Sequence, residues 1–278
     1  MPHVHESNFD AAQAASAAQF ERQSDRYGKS HILADTADVS EALGSLSPAA
    51  GARALDVATG GGHTALCLAR RGWDVSAGDL SPRMLALAQA LAAEEGFEIH
   101  THLFPAEKMP FGDASFDLVT VRVAPHHFSS PASFVRESAR VLRPGGHLLV
   151  IDGTVPDDDP ESEAWLHEVE KLRDPTHGRF LSRAAWEGLV RETGLTILAS
   201  SLHGKKQPDL HWYFDTAATS TENRIRVLDA VHASSPHVRQ ALRLGDEDGK
   251  IVWWWPMLRL LAQKKAGVST PVSAPAGF

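Results

Sequence analysis

The chain has 278 residues, is 43% hydrophobic and carries a net charge of −8. That is enough for one large domain or a domain with a helical cap, and the negative balance argues against an electrostatic nucleic-acid footprint. A single cysteine, Cys67, excludes an intrachain disulfide and fits a reducing cytoplasm, while no apolar stretch reaches the ~20 residues of a membrane helix and MPHVHESNFD carries no apolar signal core.

Residues 10–24, rich in Ala and Gln, predict a helix. Residues 37–46 (ADVSEALGSL) predict a second, closed by Ser47-Pro48. Short apolar runs then alternate with helical patterns. RALDVA (53–58) reads as a strand and 63–71 as a helix ending at Gly72. WDVSAGD reads as a strand to Asp79. Ser81-Pro82 is an N-cap with proline at the first helical position, ahead of a helix from Met84 to Glu95. EIHTHLF, SFDLVTVRV and GHLLVID are three further strands, with a helix at 131–142 before the last of them, stopped by Arg143-Pro144-Gly145-Gly146. This rhythm predicts a parallel sheet with helices on both faces, and a ligand site at the carboxyl ends of its strands. After Asp152 the pattern changes. PDDDPES is a polar loop, 161–172 and 182–193 are helical, and TILASSL is a strand. Residues 219–243 predict two helices inserted before a last strand, KIVWWWP, and the Pro-, Ser- and Ala-rich 267–278 predict a flexible tail.

LDVATGGGHTALCLA (55–69) puts Asp56 four residues before three glycines. Gly60 to Ala65 matches the G-x-G-x-x-A of a dinucleotide turn, which alone is weak. Asp79 ends the second strand, where an acid grips ribose hydroxyls or simply caps the following helix. A carboxylate at Asp56 would repel a phosphate. It suits a ligand without phosphate that carries a sulfonium and an ammonium, namely S-adenosylmethionine. The glycines let backbone approach such a ligand without a Cβ clash.

Residues 54–152 resemble a class I S-adenosylmethionine-dependent methyltransferase of the ubiquinone/menaquinone-biosynthesis-like branch. The matching pieces are LDVATGGGHTA, GDLSPRMLALA, AEKMPFGDASFDLVTVR, PHHF and ARVLRPGGHLLV. The flanks AAQFERQSDRYGKSHI, EVEKLRDPTHGRFLSRAAWEGLVRETGL and VWWWPMLRLLAQKK resemble that branch more loosely. The resemblance implies a Rossmann-like α/β fold: a seven-stranded, mostly parallel sheet with an antiparallel last strand, helices on both faces, a helical cap from the N-terminus and an insertion before the last strand. It divides the chain into a lid (1–46), a methyltransferase domain (47–265, with helical cover at about 156–180 and 205–245) and the tail. It implies that Asp56, Ala58, Gly60 and Gly62 line the methionine and ribose, and that Asp79 holds the ribose hydroxyls with Leu80 against adenine. Ala106 and Glu107 then flank the adenine edge, and Arg122 and Val123 floor the site. Two positions depart from the family pattern: its first motif glycine is Ala58, and its common adenine-binding acid is Pro105.

Methyl transfer needs a base only if the nucleophile carries a proton. His126 and His127 follow the fourth strand and are the candidates, with His127 ahead on the PHHF resemblance; packing or helix capping is the alternative role. Arg173 and His177 in LRDPTH could bind an acceptor carboxylate, or Arg173 could tie the loop to Asp174. His211, in His211-Trp212-Tyr213, could wall the acceptor cavity or pack on the core. Trp253-Trp254-Trp255 on a strand would alternate faces. Tyr27 and His31 could close over the cofactor, and His63 could merely start a helix. No cluster has metal-ligand spacing. The expected activity is methylation of a small-molecule acceptor by S-adenosylmethionine, with S-adenosylhomocysteine as product, in the cytoplasm, without nucleic-acid or membrane partners and with a homodimer left open. Two other readings remain: a cofactor-binding relative that does not methylate (a pericyclic or decarboxylating catalyst, or a structural partner), and an NAD-dependent dehydrogenase, against which Asp56 and the PHHF…LRPGG series argue.

Overall fold

A computed structural model describes residues 9–28, 31–44, 46–207 and 209–266, leaving aside the side chains of residues 25–28, 31 and 32. The expected tail (267–278) and the side chains of Tyr27 and His31 therefore lie outside the described residues. The first half of the chain builds α1 (Ala11–Gly28), α2 (His31–Ala34), α3 (Ala37–Leu43), β1 (Arg53–Val57), α4 (His63–Arg70), β2 (Asp74–Asp79), α5 (Pro82–Glu94), β3 (His100–Leu103) and β4 (Phe116–Arg122). A 3₁₀ turn (Pro125–His127), α6 (Pro131–Val141) and β5 (Leu142–Gly153) follow. The second half builds α7 (Pro160–Arg173), α8 (Arg183–Glu192), β6 (Leu195–Lys206), α9 (Leu210–Thr216), α10 (Thr221–Ala233), α11 (Pro236–Ala241), β7 (Gly245–Glu247), β8 (Lys250–Val252) and β9 (Trp254–Lys264). No helix among the described residues is long and apolar enough to cross a membrane.

The main sheet has seven strands in the order β3-β2-β1-β4-β5-β9-β6. All neighbours pair in parallel except β9, which is antiparallel to both β5 and β6. This is the Rossmann-like architecture expected from the sequence. Strand periodicity explains why both faces are covered. On β5, Leu148 and Val150 enter one core with Phe134 of α6 and Trp186 of α8. Leu149 and Ile151 enter the other, with Val39 of α3, Leu68 of α4 and Ala88 of α5. A third core joins α7, α9, α10 and α11 around Trp253. The Ser81 cap is present, its hydroxyl accepting from the Met84 amide at 3.1 Å.

Two expectations at strand ends are corrected. The Arg143-Pro144-Gly145-Gly146 stop does not separate α6 from a later strand. Pairing with β4 jumps from Phe116↔Leu142 to Leu118↔His147, so these residues form a bulge inside β5. KIVWWWP is not one strand either. Lys250–Val252 pairs with β7 in a separate hairpin, and the sheet strand begins at Trp254. Trp253 between them is wholly buried in the third core, which pulls the backbone off the strand path.

Gly62 shows how tightly the first crossover is packed. Its φ is +87°, and a Cβ there would stand 2.6 Å from the Cα of Ala88 on α5. Gly62→Ala is therefore expected to destabilise the fold by about 3 kcal/mol, from left-handed strain plus overpacking. Gly60 has φ +53° but open space around its Cβ position, so Gly60→Ala should cost about 1 kcal/mol. Denaturant midpoints of the two variants read the difference; equal midpoints would remove the packing role of Gly62.

Candidate active site

The carboxyl ends of β1, β2, β4 and β5 open into one cavity, roofed by α1 and closed at the side by α7 and α9. Three strand-end carboxylates surround it, and each is used differently. Asp56 ends β1 but does not line the cavity. It is 1% exposed and accepts hydrogen bonds from Thr59 Oγ1 and Thr120 Oγ1, both at 2.7 Å. Burial pushes its pKa up to about 6 against those two bonds. The direct ligand contact expected of Asp56 is thus corrected: its carboxylate ties the glycine turn to β4. Gly62 likewise stays outside the cavity, because it is spent on packing against α5.

Asp79 does face the cavity. Its Oδ2 accepts the Gly60 amide and its Oδ1 the Ser81 amide, both at 2.9 Å. Burial raises its pKa, opposed by these backbone donors. Each oxygen keeps a further lone-pair direction for a hydroxyl. Leu80, Met84, Phe104 and Ala106 add an apolar slot beside it. Ala58, which stands where the family pattern has glycine, holds φ +54° and lines the cavity next to Gly60. A carboxylate facing an apolar slot, beside a turn whose backbone is bare, fits a nucleoside lacking phosphate. Glu107 closes the outer edge, accepting Gln13 Nε2 at 2.8 Å and Ser129 Oγ at 3.0 Å. Arg122 and Val123 both line the floor. The Arg122 guanidinium is turned onto Asp38 (2.9 Å) and the Leu33 carbonyl (2.9 Å), so it anchors the segment before β1.

The inner end of the cavity is a polar cluster among aromatic rings. His126 Nδ1 lies 2.7 Å from Oδ1 of Asp152, the buried acid at the end of β5. A carboxylate can only accept here, so Nδ1 carries the proton. Burial pulls the His126 pKa down, but Asp152, Glu170 and Asp174 outweigh it and hold the ring above its ordinary value. His127 Nδ1 lies 3.1 Å from the Thr176 carbonyl and 3.3 Å from Thr176 Oγ1. Thr176 Oγ1 donates its own proton to Asp174 Oδ1 at 2.7 Å, so it too accepts from His127. Burial, with the neighbouring His126, pushes the His127 pKa down to about 3.

Arg173 lines the cavity, yet its Nε donates to the Tyr213 carbonyl at 3.0 Å and its Nη1 lies 3.3 Å from Glu170 Oε2. Its geometry is that of a structural tie rather than a carboxylate receptor. His177 is buried behind the wall, its ring tilted against those of His126 and His167 and edge-on to Phe180, and does not reach the cavity. His211 points to solvent, 86% exposed and 3.2 Å from Asp215. The expected acceptor contacts of His177 and His211 are therefore corrected. Sequence reading missed Asp152, Glu170, Trp255 and the α1 residues Gln13, Ser16 and Phe20. Asp152 carried a signal, an acid ending a strand like Asp79; the others depend on how distant helices fold back over the sheet.

A methyltransferase-domain family model matches residues 55–150. The chain is 33% identical over 171 residues to the methyltransferase YcgJ of Bacillus subtilis, covering 61% of this chain and 67% of that protein. It is 39% identical over 102 residues to the demethylmenaquinone methyltransferase of Thermus thermophilus, covering 36% of this chain and 46% of that one. The chain thus spans about two thirds of the first relative and about half of the second. Among solved structures, a candidate methyltransferase from Bacillus halodurans C-125 superimposes with a TM-score of 0.77 at 31% identity, over 82% of this chain and 99% of that one.

The buried state of Asp56 makes a pH dependence. An acid whose folded pKa lies above its unfolded value of 3.8 holds its proton more tightly in the native state. Its contribution to stability is therefore present at low pH and is lost as pH rises from about 4 to about 6, by up to about 3 kcal/mol. Asp56→Asn should flatten that fall in denaturation curves taken between pH 4 and 7, leaving the part due to Asp79. An unchanged slope would place the titration elsewhere.

Proposed function

The chain belongs to the class I S-adenosylmethionine-dependent methyltransferases, and from that premise we propose that it methylates a small-molecule acceptor held against His126. When bound, S-adenosylmethionine supplies a methyl group already activated on a positively charged sulfur. Asp79 takes the ribose hydroxyls, Leu80, Met84, Phe104 and Ala106 enclose the adenine, and Glu107 meets its edge. The bare turn from Ala58 to Gly61 admits the methionine portion. Arg122 and Val123 form the floor without a polar contact to the ligand.

Within the expected lid (1–46), α1, α2 and α3 act as the cover. The α1 face turned inward is polar: Gln13, Ser16, Gln19, Gln23 and Ser24 are its buried polar side chains. Gln19 Nε2 donates to Asp174 at 2.5 Å and Gln23 Nε2 to the Ala217 carbonyl at 3.0 Å. Such a face loses little when wetted, which suits a cover that opens for exchange and closes to exclude water.

The observation that carries the reading is the His126–Asp152 pair. Asp152 fixes the His126 tautomer with Nδ1–H, so the neutral ring offers Nε2 as an acceptor on the other side. It also stabilises the ring once charged. His127 is a poor base by comparison, held neutral by burial beside His126. The order expected from sequence is thereby reversed, and His126 is the general base of the proposal.

A base must be neutral to act, so the rate should rise with pH through a pKa above 6.5, the ordinary value from which His126 is raised. Burial lowers it and Asp152, Glu170 and Asp174 raise it, while the neighbouring His127 and His177 are held neutral by burial. Removing the charge in Asp152→Asn should move that limb to lower pH and lower the plateau. His126→Ala should reduce kcat by about 10²-fold or more with little change in S-adenosylhomocysteine affinity. Unchanged kcat in folded His126→Ala would remove the base role.

A further inference from the structure

His126 and His127 are neighbours in chain and in space, with ring centroids 4.2 Å apart. Both line the cavity. Both turn Nδ1 onto groups that do not line it: Asp152 at 2.7 Å and the Thr176 carbonyl at 3.1 Å. In each case the partner can only accept, so Nδ1 is the protonated nitrogen. Each of the two adjacent, cavity-lining rings thus keeps a lone pair on Nε2. A molecule seated there must bring two hydrogen-bond donors, close together. A single hydroxyl has one proton and satisfies only one of them, leaving the other ring buried without a partner.

The walls around this pair are aromatic. Phe20 lies edge-on to His127 at 5.0 Å and Phe180 lies 5.0 Å from His126. Trp212 and Trp255, themselves 6.1 Å apart, complete the wall. Flat rings bind well against such surfaces. An ammonium has no lone pair with which to accept a methyl group. A neutral aromatic amine has a nucleophilic lone pair already and needs no buried acid–imidazole pair to take its proton first.

From this juxtaposition we propose that the acceptor is an aromatic ring with hydroxyls on adjacent carbons, a catechol, methylated on the oxygen facing His126 while the second hydroxyl donates to His127. The inference rests on the methyltransferase reading above. In the step, a lone pair of the first oxygen forms the new bond to carbon and its proton passes to His126 Nε2. The electron pair of the broken carbon–sulfur bond stays on sulfur, which becomes a neutral thioether. His127 gains no proton; it orients the ring, and the monomethylated product has lost one of the two donors that held it. One methyl group per ring is therefore the expected stoichiometry.

The test uses the purified full chain. Calorimetry first establishes S-adenosylhomocysteine binding; its absence would contradict the methyltransferase reading rather than the acceptor class. Catechol, resorcinol, phenol and aniline are then titrated into that complex. Catechol should bind at least about tenfold tighter than each of the others, as expected for one extra hydrogen bond to a buried partner. His127→Phe, and independently His127→Ala, should bring catechol down to the level of phenol in protein that still binds S-adenosylhomocysteine. Incubation with S-adenosylmethionine should give the monomethyl ether only. No binding of catechol to the wild-type complex, or binding equal to that of resorcinol, phenol or aniline, would overturn the proposal.

Discussion

The site depends on one carboxylate that bridges two turns. Asp79 accepts the Gly60 amide from the turn after β1 and the Ser81 amide from the turn after β2. Both turns would otherwise be short, exposed connections with unsatisfied donors. Held together, they set the glycine backbone at a fixed distance from the mouth of β2 and start α5 in register. The same side chain faces the cavity, so the group that organises the turns is also the one proposed to meet the ligand. A negative charge buried this way costs stability, and its raised pKa records that cost.

Three acids end three strands here, and their surroundings assign them three jobs. Asp56 is satisfied by two threonine hydroxyls and closed off from the cavity. Asp79 is satisfied by backbone donors and remains open to the cavity. Asp152 has an imidazole as its partner, so its charge is expressed through His126. Residue type and position along the strand are alike in all three. What differs is the neighbour: a hydroxyl, an amide, or a group that titrates near neutrality. The inner cluster extends this logic, since Glu170 accepts from Tyr213 and Trp255 and so ties the cap to the sheet at the cavity wall.

Much of this was legible in the sequence. Alternating strands and helices, the Ser81-Pro82 cap and the Asp79 position are local signals, and each appears in the fold as read. The nearest misreadings arise where tertiary packing overrides a local pattern. Gly62 looks like a ligand glycine but is required by contact with Ala88. Asp56 looks like a ligand acid but is consumed by Thr59 and Thr120, one of them on another strand. The three tryptophans read as one strand, yet Trp253 is drawn into the cap core. His211 looked like a cavity wall because it adjoins Trp212, but on a helix adjacent residues face different ways. The choice between His126 and His127 depends on Asp152 and Thr176, 26 and 49 residues away along the chain, which no spacing rule connects.

The central claim is that this cavity binds the nucleoside of S-adenosylmethionine through Asp79. Isothermal titration of the wild type and of Asp79→Ala with S-adenosylhomocysteine and with NAD measures it most directly. The account requires S-adenosylhomocysteine to bind the wild type, NAD not to bind, and Asp79→Ala to weaken S-adenosylhomocysteine by at least about tenfold, the loss of a charged hydrogen-bond partner worth ~1.5 kcal/mol or more. An unchanged dissociation constant in folded Asp79→Ala, or binding of NAD without S-adenosylhomocysteine, would contradict it.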